Sequence, residues 1–379
     1  MKTVDLGEVA EFINGAAFKP NDWGEVGRRI IRIQNLTDPT KPFNRTTRQV
    51  ASKYDVEPGT LLVSWSASLG VFEWNEPDTA LLNQHIFKVV PDVKKIRQDY
   101  LRLMLVKALE DMGKYAHGST MQHVNREEFL GTRIPVPPLD EQKRIAAILD
   151  QADEIRLLRQ RAVDRLNQLE QAIFYEMFGD PAKNPMEWRE GVLGDVVHSV
   201  SDGPHVSPEY SDTGIPFLSA RHIRPSGVCW EDLKYISSES AGIQWRKCKP
   251  EAGDILYTKG GTTGIATVVD FDLEIAIWVH IALLKPNRDL IAPYWLAAML
   301  NSSYCYRQSQ TLTHGIGNQD LGLKRMVKIK MFLPPIHLQH KFAERLLRLK
   351  TTQLSTAAYL VQTEHLFSSL QHRAFAGEL

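Results

Sequence analysis

The chain has 379 residues, enough for two or three domains that each bury a core of their own. Hydrophobic residues make up 43% and charged residues 24%, a balance that excludes a disordered chain. Lysine and arginine number 45 against 45 aspartates and glutamates, so any nucleic-acid contact has to come from local basic patches and not from bulk charge.

The first residues, Met1 to Glu8, mix charges into every apolar stretch and lack the pattern of a secretory signal. The longest apolar run, Ile275 to Leu284, is broken by His280 and is about half the length a membrane-spanning helix needs. A cytoplasmic protein with no membrane partner is expected. Cys229, Cys248 and Cys305 form no CxxC pair, so they predict neither a disulfide framework nor a zinc cluster and read as packing residues.

Residues 1–139 carry short β-branched or aromatic runs, Arg29 to Leu36, Thr60 to Trp65 and Ile86 to Val90, punctuated by Gly, Pro and Asn. This reads as a mixed α and β domain. Pro137-Pro138 then forces an extended approach to a sharp helix start, because proline is tolerated only in a first turn. A long helix is predicted over 140–178, and the breakers Gly179-Asp180-Pro181 and Asn184-Pro185 make 179–190 a linker. A second mixed domain over 191–336 and a second long helix over 337–379 complete the order.

That order is a repeat. Leu6-Gly7 recurs as Leu193-Gly194, and Glu57-Pro58-Gly59-Thr60-Leu61-Leu62 as Glu251-Ala252-Gly253-Asp254-Ile255-Leu256. The loop that follows ends in Gly70 or Gly264, and His85-Ile86 recurs as His280-Ile281. Tyr100 is matched to Tyr294, His117-Gly118 with Gln122 to His314-Gly315 with Gln319, and Pro137-Pro138 with Gln142 to Pro334-Pro335 with Gln339. The matches keep their order while the offset grows from 187 to 197, as loop insertions in the second copy would produce.

In the first helix Ile148, Ala152, Ile155, Ala162, Leu166, Leu169 and Ile173 keep near-heptad spacing; in the second Leu346, Leu349, Thr356, Leu360, Phe367, Leu370 and Ala374 do so. These seams predict an antiparallel coiled coil that leaves Arg156, Arg159, Arg161, Arg345 and Arg348 to solvent. Two separate amphipathic helices, each lying on its own domain, are the alternative. The expected fold is therefore α+β: two tandem mixed domains joined by two paired helices and related by an approximate two-fold axis.

Catalytic motifs are missing. There is no Asn/Asp-Pro-Pro-aromatic motif of an amino-methyltransferase, and the lysine of Lys259-Gly260-Gly261-Thr262-Thr263-Gly264 lies on the wrong side of the glycines for a phosphate loop. Glu141-Gln142-Lys143 fits part of a nuclease signature, but in a helix first turn its carboxylate favours the helix dipole. His117, His123, His314 and His337 lack metal-ligand spacing, so no metal is expected. The chain reads as a binder and not as an enzyme.

Two tandem domains, each entered by Leu-Gly and closed by a Pro-Pro-Leu/Ile-x-x-Gln helix start, with the second helix running to Phe375-Ala376-Gly377-Glu378-Leu379, resemble DNA-specificity subunits of type I restriction-modification systems over essentially the whole length. The resemblance implies two target recognition domains held apart by a helical ruler. It also implies double-stranded DNA, two modification subunits and restriction subunits as partners. The cofactors, SAM, ATP and Mg, would sit on those partners and none on this chain. The second copy carries His337-Leu338 where the first has Asp140-Glu141.

Base edges are read by donors and acceptors, whereas phosphates accept any basic group. Candidate DNA contacts in the first domain are Arg29, Arg32, Gln34 and Asn35 at a strand end, Ser64, Ser66 and Ser68 in the loop before Gly70, and Ser119, Gln122, His123 and Asn125. In the second they are Ser219, Arg221, His222 and Arg224, then Lys259, Gly260, Thr262 and Thr263, with Asn318 and Gln319. A helix over 141–175 spans roughly 50 Å, about fifteen base pairs, which predicts two short blocks separated by an unread gap. A specificity component of a related restriction-modification or phage-defence assembly is the runner-up. An autonomous nuclease or methyltransferase and a plain coiled-coil scaffold are the remaining alternatives.

Overall fold

The computed structural model describes residues 2–66, 68–115, 125–315 and 319–379. The chain folds as two compact units, Met1–Arg159 with Tyr359–Leu379, and Gln160–Ala358.

The first unit is built on an antiparallel sheet in the order Ala10–Asn14, Ile86–Pro91, Leu61–Ser64, Gly70–Glu73. Alternation along Leu61–Ser64 explains its unbroken apolar run. Leu61 and Val63 face a core with Phe87, Tyr100, Phe129, Ile145 and Leu149, while Leu62 faces the other way, onto Ile31, Val56 and Leu82. Those last residues belong to a second sheet ordered Asn44–Thr46, Arg28–Ile31, Ala80–Leu82, Asp55–Val56, in which the middle two strands run parallel. The strand expected over Arg29 to Leu36 ends at Ile31, and Ile33–Thr37 is a short helix. Thr3–Asp5 pairs with Arg133–Pro135, bringing the two ends of the domain together before the long helix begins.

The second unit repeats this topology with one strand fewer in its mixed sheet. Its antiparallel sheet runs Val197–Asp202, Ile281–Pro286, Ile255–Thr258, Ala266–Val268, its mixed sheet Lys234–Ile236, Ile215–Leu218, Ala276–Ile277, and Arg189–Val192 pairs with Lys330–Leu333. Ile255 and Tyr257 face one core and Leu256 the other, as in the first copy. Gly59 and Gly253 share a positive φ, 83° and 89°, that favours glycine in the same turn.

The alignment of the copies needs one correction. The Arg97 amide bonds to Gln142 and the Ala292 amide to Gln339, so three residues further on Tyr100 corresponds to Trp295, not to Tyr294. Tyr100 and Trp295 are both fully buried, whereas the Tyr294 hydroxyl reaches out to Asp270 at 3.1 Å.

The long helices are Leu139–Phe178 and Ile336–Ala376, each beginning directly after its Pro-Pro pair, and they pack together. In the first unit the start of one lies beside the end of the other: Ile145, Ala146 and Leu149 share a core with Ala374, and Arg159 Nη1 donates to the Tyr359 carbonyl at 2.7 Å. In the second unit Phe174 meets Phe342 at 5.6 Å between ring centroids and Gln353 Nε2 donates to the Leu166 carbonyl at 3.1 Å. The pairing is antiparallel in each.

The seam differs from the expected heptad. Ile148, Leu166, Ile173, Leu346, Leu349, Leu360, Phe367 and Leu370 are buried or half-buried, but Ile155 and Leu169 are each 42% exposed and Ala162 is exposed. Arg156 and Arg159 occupy the inward stripe in their place, lying over the rings of Phe367 at 5.7 Å and Tyr359 at 5.5 Å. The physical reason is that a 3.6-residue helix drifts away from a strict seven-residue count, and long arginine stems cover apolar surface while their heads stay wet. In the second helix half-buried Gln353 and Thr356 and buried Thr363 put polar groups on the same stripe.

Cys248 and Cys305 are buried in the second unit's cores, and burial pushes the Cys305 thiol up to about 12. Among the described residues no helix is long and apolar enough to cross a membrane.

Candidate nucleic-acid interface

In each domain the two parallel strands of the mixed sheet end side by side, and the polar residues that follow them gather at the strand ends. In the first domain Arg32 follows Ile31 and Asn83 follows Leu82, with the Asn83 amide donating to the Ile31 carbonyl at 3.1 Å. In the second, Ser219 follows Leu218 and Trp278 follows Ile277, with the Trp278 amide donating to the Leu218 carbonyl at 2.8 Å. A glycine underlies both crossings. A Cβ on Gly15 would stand 2.2 Å from the Asn83 carbonyl oxygen, and one on Gly203 2.0 Å from the Ile277 oxygen.

In the first domain Arg29 bridges Glu76 at 2.7 Å and Asp78 at 3.6 Å and covers the Phe43 ring. Arg32 donates to Asn44 Oδ1 at 3.1 Å with its guanidinium 4.9 Å from the Trp23 ring. Gln34 is half-buried. Asn35 is 8% exposed and donates to the carbonyls of Lys41 and Pro42, so it closes the loop between them and does not stand on the surface. Ser64 is fully buried, its hydroxyl on the Ser66 carbonyl, and Ser66 is buried as well; only Ser68 of that trio is exposed. Asn125 caps the helix Arg126–Leu130 by accepting from the Glu127 amide at 2.9 Å. Ser119, Gln122, His123 and Asn318 lie outside the described residues, as does His117.

In the second domain Ser219, Arg221 and His222 share one pocket, while exposed Arg224 turns back to the Ile223 carbonyl. His222 is buried. Its Nδ1 accepts the Ser219 amide at 2.9 Å, and burial together with the Arg221 guanidinium holds its pKa below the usual histidine value.

Lys259 is also inside. It is 6% exposed, with Nζ 3.0 Å from Asp320 and 3.4 Å from Asp202. Burial alone would push the Asp202 carboxyl up, but the ammoniums of Lys247 at 2.7 Å and of Lys259 more than offset this and hold it below the usual range. Lys259 therefore ties the glycine loop to its neighbours: the Leu321 amide donates to the Lys259 carbonyl, and the Gly261 amide to the Gln319 carbonyl. Gly260 is buried against the His280 ring, and Thr263 is buried with its hydroxyl 3.1 Å from that of Thr313. Thr262 and Gln319 remain exposed. In the first copy Asn14 and Trp65 stand where Asp202 and Lys259 do, so both charges are exchanged together.

The structure thus brings Ser219, Arg221 and His222 together in the second domain, whereas in the first Arg29 and Arg32 each engage partners of their own. It adds residues that sequence reading missed: Trp23 in the first, and Tyr210, Phe217, Lys234, Trp278 and His280 in the second. Trp278 and His280 lie inside an apolar run that reads as core, and only the parallel strand pairing carries them to the rim. Among the described residues no group of three His, Cys, Asp or Glu side chains could hold a metal ion.

Residues 1–171 and 185–359 match the family model described as type I restriction modification DNA specificity domain. The chain belongs to that family. It is a DNA-specificity subunit of a type I restriction-modification system, a non-catalytic component of such enzymes. Similar curated proteins include the type I restriction enzyme EcoBI specificity subunit of Escherichia coli, 24% identical over 99% of this chain and 85% of that one. Another is a putative type I restriction enzyme MjaX specificity subunit of Methanocaldococcus jannaschii, 23% identical over 90% and 85%. The fold is similar to the S subunit of a type I restriction-modification system from M. genitalium, with a TM-score of 0.61 and 14% identity over 99% of this chain and 96% of that one. A chain from a solved structure on complex assembly and conformational transition of the type I R-M system gives a TM-score of 0.59 and 18% identity, covering 100% of this chain and 98% of that one. The two domains share one plan and carry different residues at their matching strand ends.

Proposed function

We propose that this subunit reads a split duplex target, one short block with residues 1–139 and the other with 191–336, across a gap set by the helices 140–178 and 337–379. The observation that carries this reading is the equivalence of the strand ends: Ile30, Arg32 and Asn83 in one domain, Phe217, Ser219 and Trp278 in the other. One backbone frame with different side chains suits two different base sequences. The continuity of Leu139–Phe178, 40 residues and so about 60 Å, supports the ruler.

The subunit works within a complex, with two modification subunits that carry SAM and restriction subunits that use ATP and Mg. Its balanced charge leaves much of the phosphate grip to those partners. Methylation-aware sequencing of host DNA tests the reading, with two specific blocks around an unread gap as the expected motif. Removing one turn from each helix, at matched positions, shortens that gap; a motif with one continuous block, or an unchanged gap, overturns it. The isolated chain binds DNA weakly at physiological salt, and nanomolar specific binding without partners would contradict the division of labour.

A further inference from the structure

The second domain carries a pocket of about 290 Å³ beside the ends of its parallel strands. Three aromatic rings form one part of its wall and Arg221, His222 and His280 another: the ring centroids of Tyr210 and Phe217 lie 6.0 Å apart and those of Phe217 and Trp278 5.8 Å apart, both pairs inclined and not stacked flat. Ser219 lines it, and the Lys234 ammonium sits 4.1 Å from the centre of the Tyr210 ring. Tyr210 is 46% exposed and Phe217 is buried, so the rings run from the mouth inward.

Among the described residues, the matching positions of the first domain carry no such rings. Ile30 stands at the place of Phe217, Asn83 at that of Trp278 and Arg32 at that of Ser219, and the Arg32 guanidinium already covers the Trp23 ring. The aromatic walls are thus a property of one reading head.

A volume near the lower end of small-molecule sites takes a planar one- or two-ring group and not a whole nucleotide. Aromatic walls select a flat π-system, and a cation near the mouth suits the phosphate attached to it. Bases stacked in a duplex do not present their faces, so the occupant has to leave the stack. We infer that this pocket receives one nucleobase of the second half-site, unstacked from the duplex, against the rings of Tyr210 and Trp278 with Phe217 beneath, and with Lys234 on the adjoining phosphate. The inference rests on the split-target reading. It adds that one position is read by extraction and not by its groove edge.

The test uses the subunit assembled with its modification subunits and a duplex carrying the motif found by methylation-aware sequencing. Mismatches placed in turn opposite each base of both half-sites remove the cost of unpairing at that base. The base that the modification subunits methylate in each half-site leaves the stack as well, so its mismatch response is set apart; at one further position of the second half-site a mismatch tightens binding about tenfold, while mismatches at the remaining positions weaken it or leave it unchanged. Trp278→Ala and, separately, Tyr210→Ala at the exposed mouth abolish that gain, with discrimination in the first half-site intact as the control for folding. If the second half-site has no position besides the methylated base where a mismatch helps, or if both variants keep the gain, the pocket takes no base. That outcome leaves the split-target reading standing, since discrimination at both half-sites is measured in the same series; loss of one block for wild type sinks the reading itself.

Discussion

Gln142 and Gln339 occupy the same place in the two copies and make matching hydrogen bonds. Each is fully buried, accepts one backbone amide through Oε1, from Arg97 or Ala292, and donates through Nε2 to the proline carbonyl five residues earlier, Pro137 or Pro334, and to Lys95 or Leu290. The side chain locks the start of a long helix to its domain. Neither Glu141 nor Leu338 is part of this clamp, which is why the second copy tolerates a different residue there. Leucine at either position strands a buried amide and two carbonyls. Gln142→Leu and Gln339→Leu are each expected to cost about 3 kcal/mol, and hydrogen exchange will localise the loss to the first unit for one and the second for the other. Uniform loss across both units would contradict the clamp.

The crossing glycines make a paired prediction. Gly15→Ala and Gly203→Ala each drive a methyl into a carbonyl oxygen of the neighbouring strand. The expected destabilisation is at least about 3 kcal/mol in the affected unit, measured by denaturant unfolding. Gly24→Ala, where a Cβ meets nothing within 4 Å, is the mild control.

The helix seam predicts an inverted ranking. Arg159→Ala removes a hydrogen bond and a ring contact and costs about 1 to 2 kcal/mol, whereas Ile155→Ala at an exposed site stays within about 0.5 kcal/mol. Thermal melts of the two variants decide it. A larger loss for Ile155→Ala would restore the seven-residue seam.

His222 predicts a pH dependence. Burial first, and then the Arg221 guanidinium, lowers its pKa below the ordinary 6.5, so the folded ring binds fewer protons than the unfolded one between the lowered value and 6.5. Stability therefore rises with pH through that window: the contribution is full above 6.5 and is lost as pH falls toward the folded pKa. Unfolding midpoints between pH 7 and 5 will fall less for His222→Gln than for wild type. Parallel slopes for the two would remove His222 from the account.

The division into two repeated domains and two long helices was legible in the sequence because it rests on long patterns: paired prolines, a buried glutamine, positive-φ glycines at Gly59 and Gly253. Single-residue roles were less so. Asn35, Ser64 and Lys259 look like surface donors as letters, yet each satisfies a partner inside its domain, a fact that only the packing supplies. Trp278 hides in the opposite way, inside an apolar run whose end happens to be a rim. Arg156 and Arg159 were misplaced because a charged residue was counted as outward regardless of its stem.

The first unit's core includes Ala374, with Leu370, Phe375 and Leu379 packed against it, while the second unit is one continuous stretch. During translation, then, the earlier half has to wait: its closing piece emerges from the ribosome only after the later half is already complete. The usual order of maturation along a nascent chain is reversed here, and removal of residues 370–379 would leave the domain made first as the one unable to finish folding.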